Sequence, residues 1–185
     1  QRGSRLVNRL SLIFMSLSFV CLTLLLVLRW KISGTIPLSN GYETMLVVAW
    51  FVQLLAIFTQ HKAPIVVLFG FLLSGFFLLV SHIAQMDPAI THIMPVLNSP
   101  LLSLHVSVIM MSYALLSLTF VCGISAIILY FAGINKQRRQ QQSVPNSYSL
   151  QIAALQVLSH IFLYPALVTL SIGIFVGAIW ANVGW

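Results

Sequence analysis

The stretch LLSLHVSVIMMSYALLSLTFVCGISAIILYFAGI, residues 101–134, contains no Asp, Glu, Lys or Arg. As a helix it would reach roughly 50 Å at about 1.5 Å per residue, well beyond a hydrocarbon layer about 30 Å thick. It is therefore read as a membrane-crossing helix with one protruding end. Its start is marked by Asn98 and Ser99 as capping candidates and by Pro100 at the first helical position, where a missing N–H costs nothing. Ser103, His105 and Ser107 make the first part the more polar, which assigns it to the interface and leaves residues 108–131 to span.

Outward from this run, apolar stretches recur at 10–28, 44–60, 63–83 and 155–180, separated by short polar punctuation. The first exceeds the roughly 7–15 residue core of a signal peptide, and no small-residue cleavage pattern follows Arg29-Trp30-Lys31, so it is kept as a span. The last contains Pro165, which kinks a helix unless neighbours satisfy the freed carbonyl. The expected fold is all-α: one polytopic transmembrane bundle over residues 1–185, with about five spans, an outer segment at 84–100 and a cytoplasmic loop at 135–150.

Composition agrees with this architecture. The chain is 59% hydrophobic and 6% charged with a mean hydropathy of +1.02, whereas soluble domains carry about 25% charged residues. Lipid must cover most of its surface. The net charge of +7 and pI near 10 come from bases scattered between apolar runs, with no continuous patch of the kind that nucleic acid requires. Those bases serve instead as orientation signals. Arg2, Arg5, Arg9, Lys62, Lys136, Arg138 and Arg139 fall on one side of the expected bundle, and Arg29 and Lys31 on the other. The positive side is retained in the cytoplasm, so the N-terminus is expected inside.

Chemistry-bearing residues are few. Cys21 and Cys122 lie inside apolar runs as small buried hydrophobes, and no CxxC or CxxCH occurs. With only Glu43 and Asp87 as acids, and without paired carboxylates, HExxH or a P-loop, hydrolytic and phosphoryl-transfer chemistry lack a general base. Glu43 opens the second span, where helix capping explains a carboxylate and a functional contact is the alternative. His61 reads as a solvated inner-face residue and His160 as an interfacial one. His82, His92 and His105 share the expected outer side. Each is either a satisfied interfacial histidine or a metal or haem-iron ligand. Gly173 and Gly177 form GxxxG, with Gly70 and Ser74 as a weaker version; both read as close helix packing, with a shaped cavity between helices as the alternative.

Three strings carry a resemblance: NGYETMLVVAW at 40–50, LNSPLLSLHVSVIMMSYALL at 97–116 and FLYPALVTLSIGIFVGAIWANVGW at 162–185. In that order they resemble the CcsA/ResC family, the haem-handling membrane subunits of system II cytochrome c biogenesis. The resemblance covers about three quarters of the chain, from residue 40 onward. It implies that His105, on the helix after the L-N-S string, is an axial haem ligand, with Tyr42, Glu43, Trp180 and Trp185 as further haem contacts and His82 and His92 as weaker ligand candidates.

The resemblance further implies haem b as a transient ligand, presented on the outer face to a CxxCH apocytochrome c. A CcsB-type partner or fused segment would accompany the chain, in a bacterial inner membrane or a thylakoid. The family's WGxYWxWDPKE signature would follow directly after Trp185, and its second outer histidine and membrane histidine later still. The chain is thus expected to be the N-terminal part of such a protein, unable to hold haem alone in the family's usual way. Two other classes stay open: a b-type cytochrome anchor exchanging electrons with quinone through His82 and His105, and a small transporter subunit without haem.

Overall fold

The structure is a computed structural model in which residues 2–38, 40–60, 65–83, 88–90, 99–140 and 146–184 are described. These residues form five helices: α1 (Arg2–Ser33), α2 (Gly41–Thr59), α3 (Ile65–Ile83), α4 (Pro100–Gln140) and α5 (Asn146–Gly184). Each is long and apolar enough to cross a membrane, so the expected all-α transmembrane bundle is the observed fold and the chain is an integral membrane protein. No strand occurs among the described residues.

Local chemistry sets the helix ends. α1 stops at Gly34, whose φ of 71° is the left-handed conformation that a residue without Cβ adopts freely, and the Gly34 N–H closes onto the Trp30 carbonyl at 2.9 Å. Asn40 caps α2, its Oδ1 accepting from the Glu43 N–H at 2.9 Å, while its Nδ2 donates to the Ala89 carbonyl at 3.1 Å. That second bond ties the segment after α3 to the start of α2. Ser99 Oγ accepts from the Leu102 N–H at 3.1 Å with Pro100 at the first helical position, the cap expected from the sequence.

The helices alternate in direction. Along α1 and α2, the Trp50 indole donates to Thr23 Oγ1 at 2.8 Å and Gln53 Nε2 donates to Ser18 Oγ at 3.0 Å, a descending register that fixes an antiparallel pair. Gln53 Nε2 also reaches Ser74 Oγ on α3 at 3.2 Å, and Gly70 packs against Ala56 so closely that the alanine methyl fills the space a Cβ would take. The buried core runs through Met15, Val52, Ala56, Val66, Leu118, Cys122, Phe162 and Ala166, while Leu17, Phe76, Phe120 and Phe175 point outward at positions that lipid would cover.

Two boundaries differ from expectation. Residues 135–140 and 146–150 are helical, so the cytoplasmic loop expected at 135–150 reduces to residues outside the described set. The physical reason is that Lys, Gln and Arg are good helix formers, and a helix emerging from lipid has no cause to stop at the hydrocarbon edge. α1 likewise extends back to Arg2. α5 continues through Pro165 without a break. Of the outer segment 84–100, only 88–90 and 99–100 are described, and Pro100 already belongs to α4.

Candidate functional site

The alternation of helices brings the ends of α1, α3 and α5 to the same end of the bundle as the starts of α2 and α4. His82, His105, Trp180, Tyr42 and Glu43 all belong to that end. His92 and Trp185 lie outside the described residues. The five described candidates form two groups, built by different helix pairs.

The first group belongs to α1, α2 and α3. Glu43, in the first turn of α2, is fully buried, and its Oε1 accepts from Arg29 Nε at 3.0 Å while Arg29 Nη2 also lies 3.0 Å away. Arg29 is 8% exposed, so both charges are withdrawn from solvent together. The Tyr42 ring lies beneath the guanidinium, 5.3 Å from centroid to Cζ, within cation–π range. Tyr42 also borders a cavity of about 380 Å³, lined with it by Leu22, Leu25, Leu46, Ser81 and His82, among others. Ser18 lines it too, and the same Ser18 oxygen accepts from the buried Gln53. His82, in the last turn of α3, is exposed at its margin.

The second group belongs to α4 and α5. His105 lies in the second turn of α4, half-buried, and its Nδ1 is 2.6 Å from the Gly173 carbonyl oxygen. The ring rests on Gly177: a Cβ there would fall 2.5 Å from Cε1 and 2.6 Å from Nδ1. Gly173 receives Ile109 in the same way, with a hypothetical Cβ 2.6 Å from Cδ1. The His105–Ile109 pair on α4 therefore docks onto the Gly177–Gly173 pair on α5, each pair one helical turn apart. Trp180, half-buried, follows Gly177 by one turn. His105 Nε2 has no hydrogen-bond partner among the described residues.

Among the described residues no group of three or more His, Cys, Asp or Glu converges on one point. His82 belongs to the α1–α3 cavity, and His105 is turned onto α5. His160 stacks on Tyr164 in mid-α5, with ring centroids 5.7 Å apart.

A family model described as Cytochrome C assembly protein matches residues 38–185, which includes every described candidate on α2 to α5. The chain belongs to this family. Among its similar relatives, the protein NrfI of Wolinella succinogenes is 34% identical over 90% of the chain and 18% of NrfI. The cytochrome c biogenesis protein CcsA of Chlamydomonas reinhardtii is 32% identical over 94% of the chain and 49% of that protein. CcsA of Prochlorococcus marinus strain MIT 9301 is 31% identical over 89% and 59%. The chain thus spans about half or somewhat more of these CcsA proteins and under a fifth of NrfI. A CcsA-family cytochrome c biogenesis protein is what the sequence strings at 40–50, 97–116 and 162–185 resemble, and the family match covers all three.

Sequence reasoning missed Arg29 as a site residue, having counted it only as an orientation signal. The signal was present: one of two acids in the chain follows it by 14 positions across a short turn, and an acid and a base flanking one hairpin can pair. It also read Gly173 and Gly177 as close packing, with a shaped cavity between helices as the alternative. Nothing in their spacing shows that one of the facing side chains is His105.

Proposed function

We propose that this chain binds haem b transiently through His105 and presents it on the outer face of the membrane for covalent attachment to a CxxCH apocytochrome c. The observation that carries the reading is the state of the His105 ring, with one nitrogen engaged by a backbone carbonyl and the other without a partner among the described residues. An imidazole with one nitrogen held and one free is suited to ligate iron. Trp180, one turn beyond Gly177, and Tyr42 and Glu43 on the neighbouring helix pair supply candidate aromatic and polar contacts to the macrocycle, with Trp185, His82 and His92 as weaker candidates. The two thiols of the apocytochrome add their S–H bonds across the haem vinyl groups, so the chemistry belongs to cargo and substrate. This chain's residues orient and ligate.

The wider assembly belongs to the same proposal. A CcsB-type partner or fused segment, and the Trp-rich signature that follows the string at 162–185 in the family, complete the haem platform. The membrane is a bacterial inner membrane or a thylakoid. The distribution of basic residues along the sequence orients the bundle with its N-terminus in the cytoplasm. Single cysteines placed at Ser39 and Ser143 are expected to react with an impermeant thiol reagent from opposite sides, Ser39 from outside. Labelling of both from one side overturns the orientation.

The function is tested with the full-length protein co-expressed with a CxxCH apocytochrome. A Soret band in the purified membrane protein, together with haem that stays on the cytochrome through denaturing electrophoresis, is the expected result. Haem-replete membranes yielding a protein without a Soret band would leave the transporter reading standing. Retained haem without covalent attachment would favour the electron-transfer anchor.

A further inference from the structure

We infer that Gly173 and Gly177 are positioning residues for His105: the Gly173 carbonyl fixes the imidazole as its Nδ1–H tautomer, and the bare Cα of Gly177 lets the ring lie against α5, so that Nε2 alone is offered as a ligand. The haem-facing part of this inference rests on the function proposed above; the tautomer does not.

The tautomer follows from the partner. A carbonyl oxygen only accepts, so a 2.6 Å contact between it and Nδ1 requires the proton on Nδ1. A neutral imidazole carries one ring proton, and Nε2 is then left with its lone pair. A hydrogen bond from the distal ring nitrogen to a backbone carbonyl also raises the basicity of the nitrogen that ligates, and loss of such a partner typically lowers metal affinity by about 10–100-fold. The carbonyl of a helical residue is normally occupied within its own helix. It reaches His105 here as a shared acceptor because the two helices touch backbone to side chain, and small residues are what permit that approach.

Gly177 supplies the approach. A Cβ at this position would overlap the ring at Cε1 and Nδ1 simultaneously, and a planar ring between two helices cannot yield at one atom without turning as a whole. An alanine here would therefore rotate the imidazole away from the Gly173 carbonyl. Ordinary GxxxG packing explains why α4 and α5 are close. It does not explain why the residue in the notch is the one half-buried histidine of α4, hydrogen-bonded across the seam.

The test uses full-length protein labelled with ¹⁵N-histidine and prepared without haem, the His105 ring signals being assigned by their absence in His105→Gln. A protonated Nδ1 and an unprotonated Nε2 are expected. Gly177→Ala should lose that tautomer preference, lower bound haem about tenfold on reconstitution, and regain haem when free imidazole is added. Ile109→Ala loosens the same seam without touching the ring and should keep both the tautomer and the haem. Gly75→Ala, where a Cβ meets nothing within 4 Å, controls for a helical Gly-to-Ala change.

The inference is overturned by an Nε2-protonated ring in the unaltered protein. It is overturned equally by wild-type tautomer and haem content in Gly177→Ala, or by Ile109→Ala reproducing the Gly177→Ala behaviour, which would reduce the seam to packing. If the tautomer stands but His105→Ala retains its haem, the ligand reading fails and the positioning of the ring survives it.

Discussion

Full-length protein carrying His105→Ala is expected to lose most of its bound haem and its cytochrome c assembly while accumulating at the wild-type level. The two effects separate because they depend on different energies. The folded bundle loses one side-chain hydrogen bond to a carbonyl and the packing of a half-buried ring, on the order of 1 kcal/mol for the bond. Under the proposed ligation haem would lose an iron–nitrogen bond, so its affinity should fall by at least the roughly tenfold that even an outer-shell partner commands. Free imidazole can enter the vacated position and should restore part of both haem content and assembly. His61→Ala, in the connection between α2 and α3, serves as the control and should change neither. Wild-type haem content in His105→Ala would return the histidine to an ordinary interfacial role.

Glu43→Ala should be the most destabilising single change at the other group. It leaves the Arg29 guanidinium 8% exposed without its carboxylate, and breaking a buried pair in this way costs about 3–5 kcal/mol. Heating detergent-solubilised protein in a Cys21→Ser background with a thiol-reactive dye reads this, because Cys21 is exposed in the folded protein whereas Cys122 is 2% exposed and becomes reactive only when the core opens. A double replacement, Arg29→Met with Glu43→Leu, removes both charges and fills similar volume. It should recover most of the loss, since a pair of apolar residues often equals or exceeds a buried ion pair in stability. A Glu43→Ala protein that unfolds within a degree or two of wild type would show that the pair contributes nothing to the bundle.

Much of the fold was legible in the sequence because a bilayer imposes a simple length criterion on apolar runs. The five runs at 10–28, 44–60, 63–83, 101–134 and 155–180 each correspond to a spanning-capable helix, and the Ser99-Pro100 start of α4 followed from capping chemistry alone. The reach of α4 to Gln140 and of α5 back to Asn146 was not legible, since the polar segments at those ends carry no hydrophobic period to distinguish helix from loop.

Of the candidate site, only the residue types and their shared end of the bundle were legible. That His105 and Trp180 belong to one end of the bundle follows from helix counting. That His105 meets Gly173 and Gly177, while His82 belongs to a separate cavity with Tyr42, depends on the rotation of each helix about its axis. Uniformly apolar spans do not encode that rotation strongly, because lipid and neighbouring helix are nearly equivalent environments for Leu or Ile. The polar residues that do encode it act as cross-helix pairs: Gln53 with Ser18 and Ser74, Trp50 with Thr23, and Arg29 with Glu43.

The Arg29–Glu43 pair also bears on how the chain is made. As α1 emerges from the ribosome, Arg29 has no acid within its own helix and is a free cation near the end of an apolar segment, able to extend its stem to the headgroups and hold that end of the helix at one surface. Glu43 is synthesised 14 residues later, and only when α2 has folded back against α1 can the guanidinium leave the headgroups and bury itself beneath the second helix. The same side chain is thus an unpaired cation before α2 has formed and a buried partner of Glu43 afterwards, so the pair closes the first hairpin only when both helices are in place.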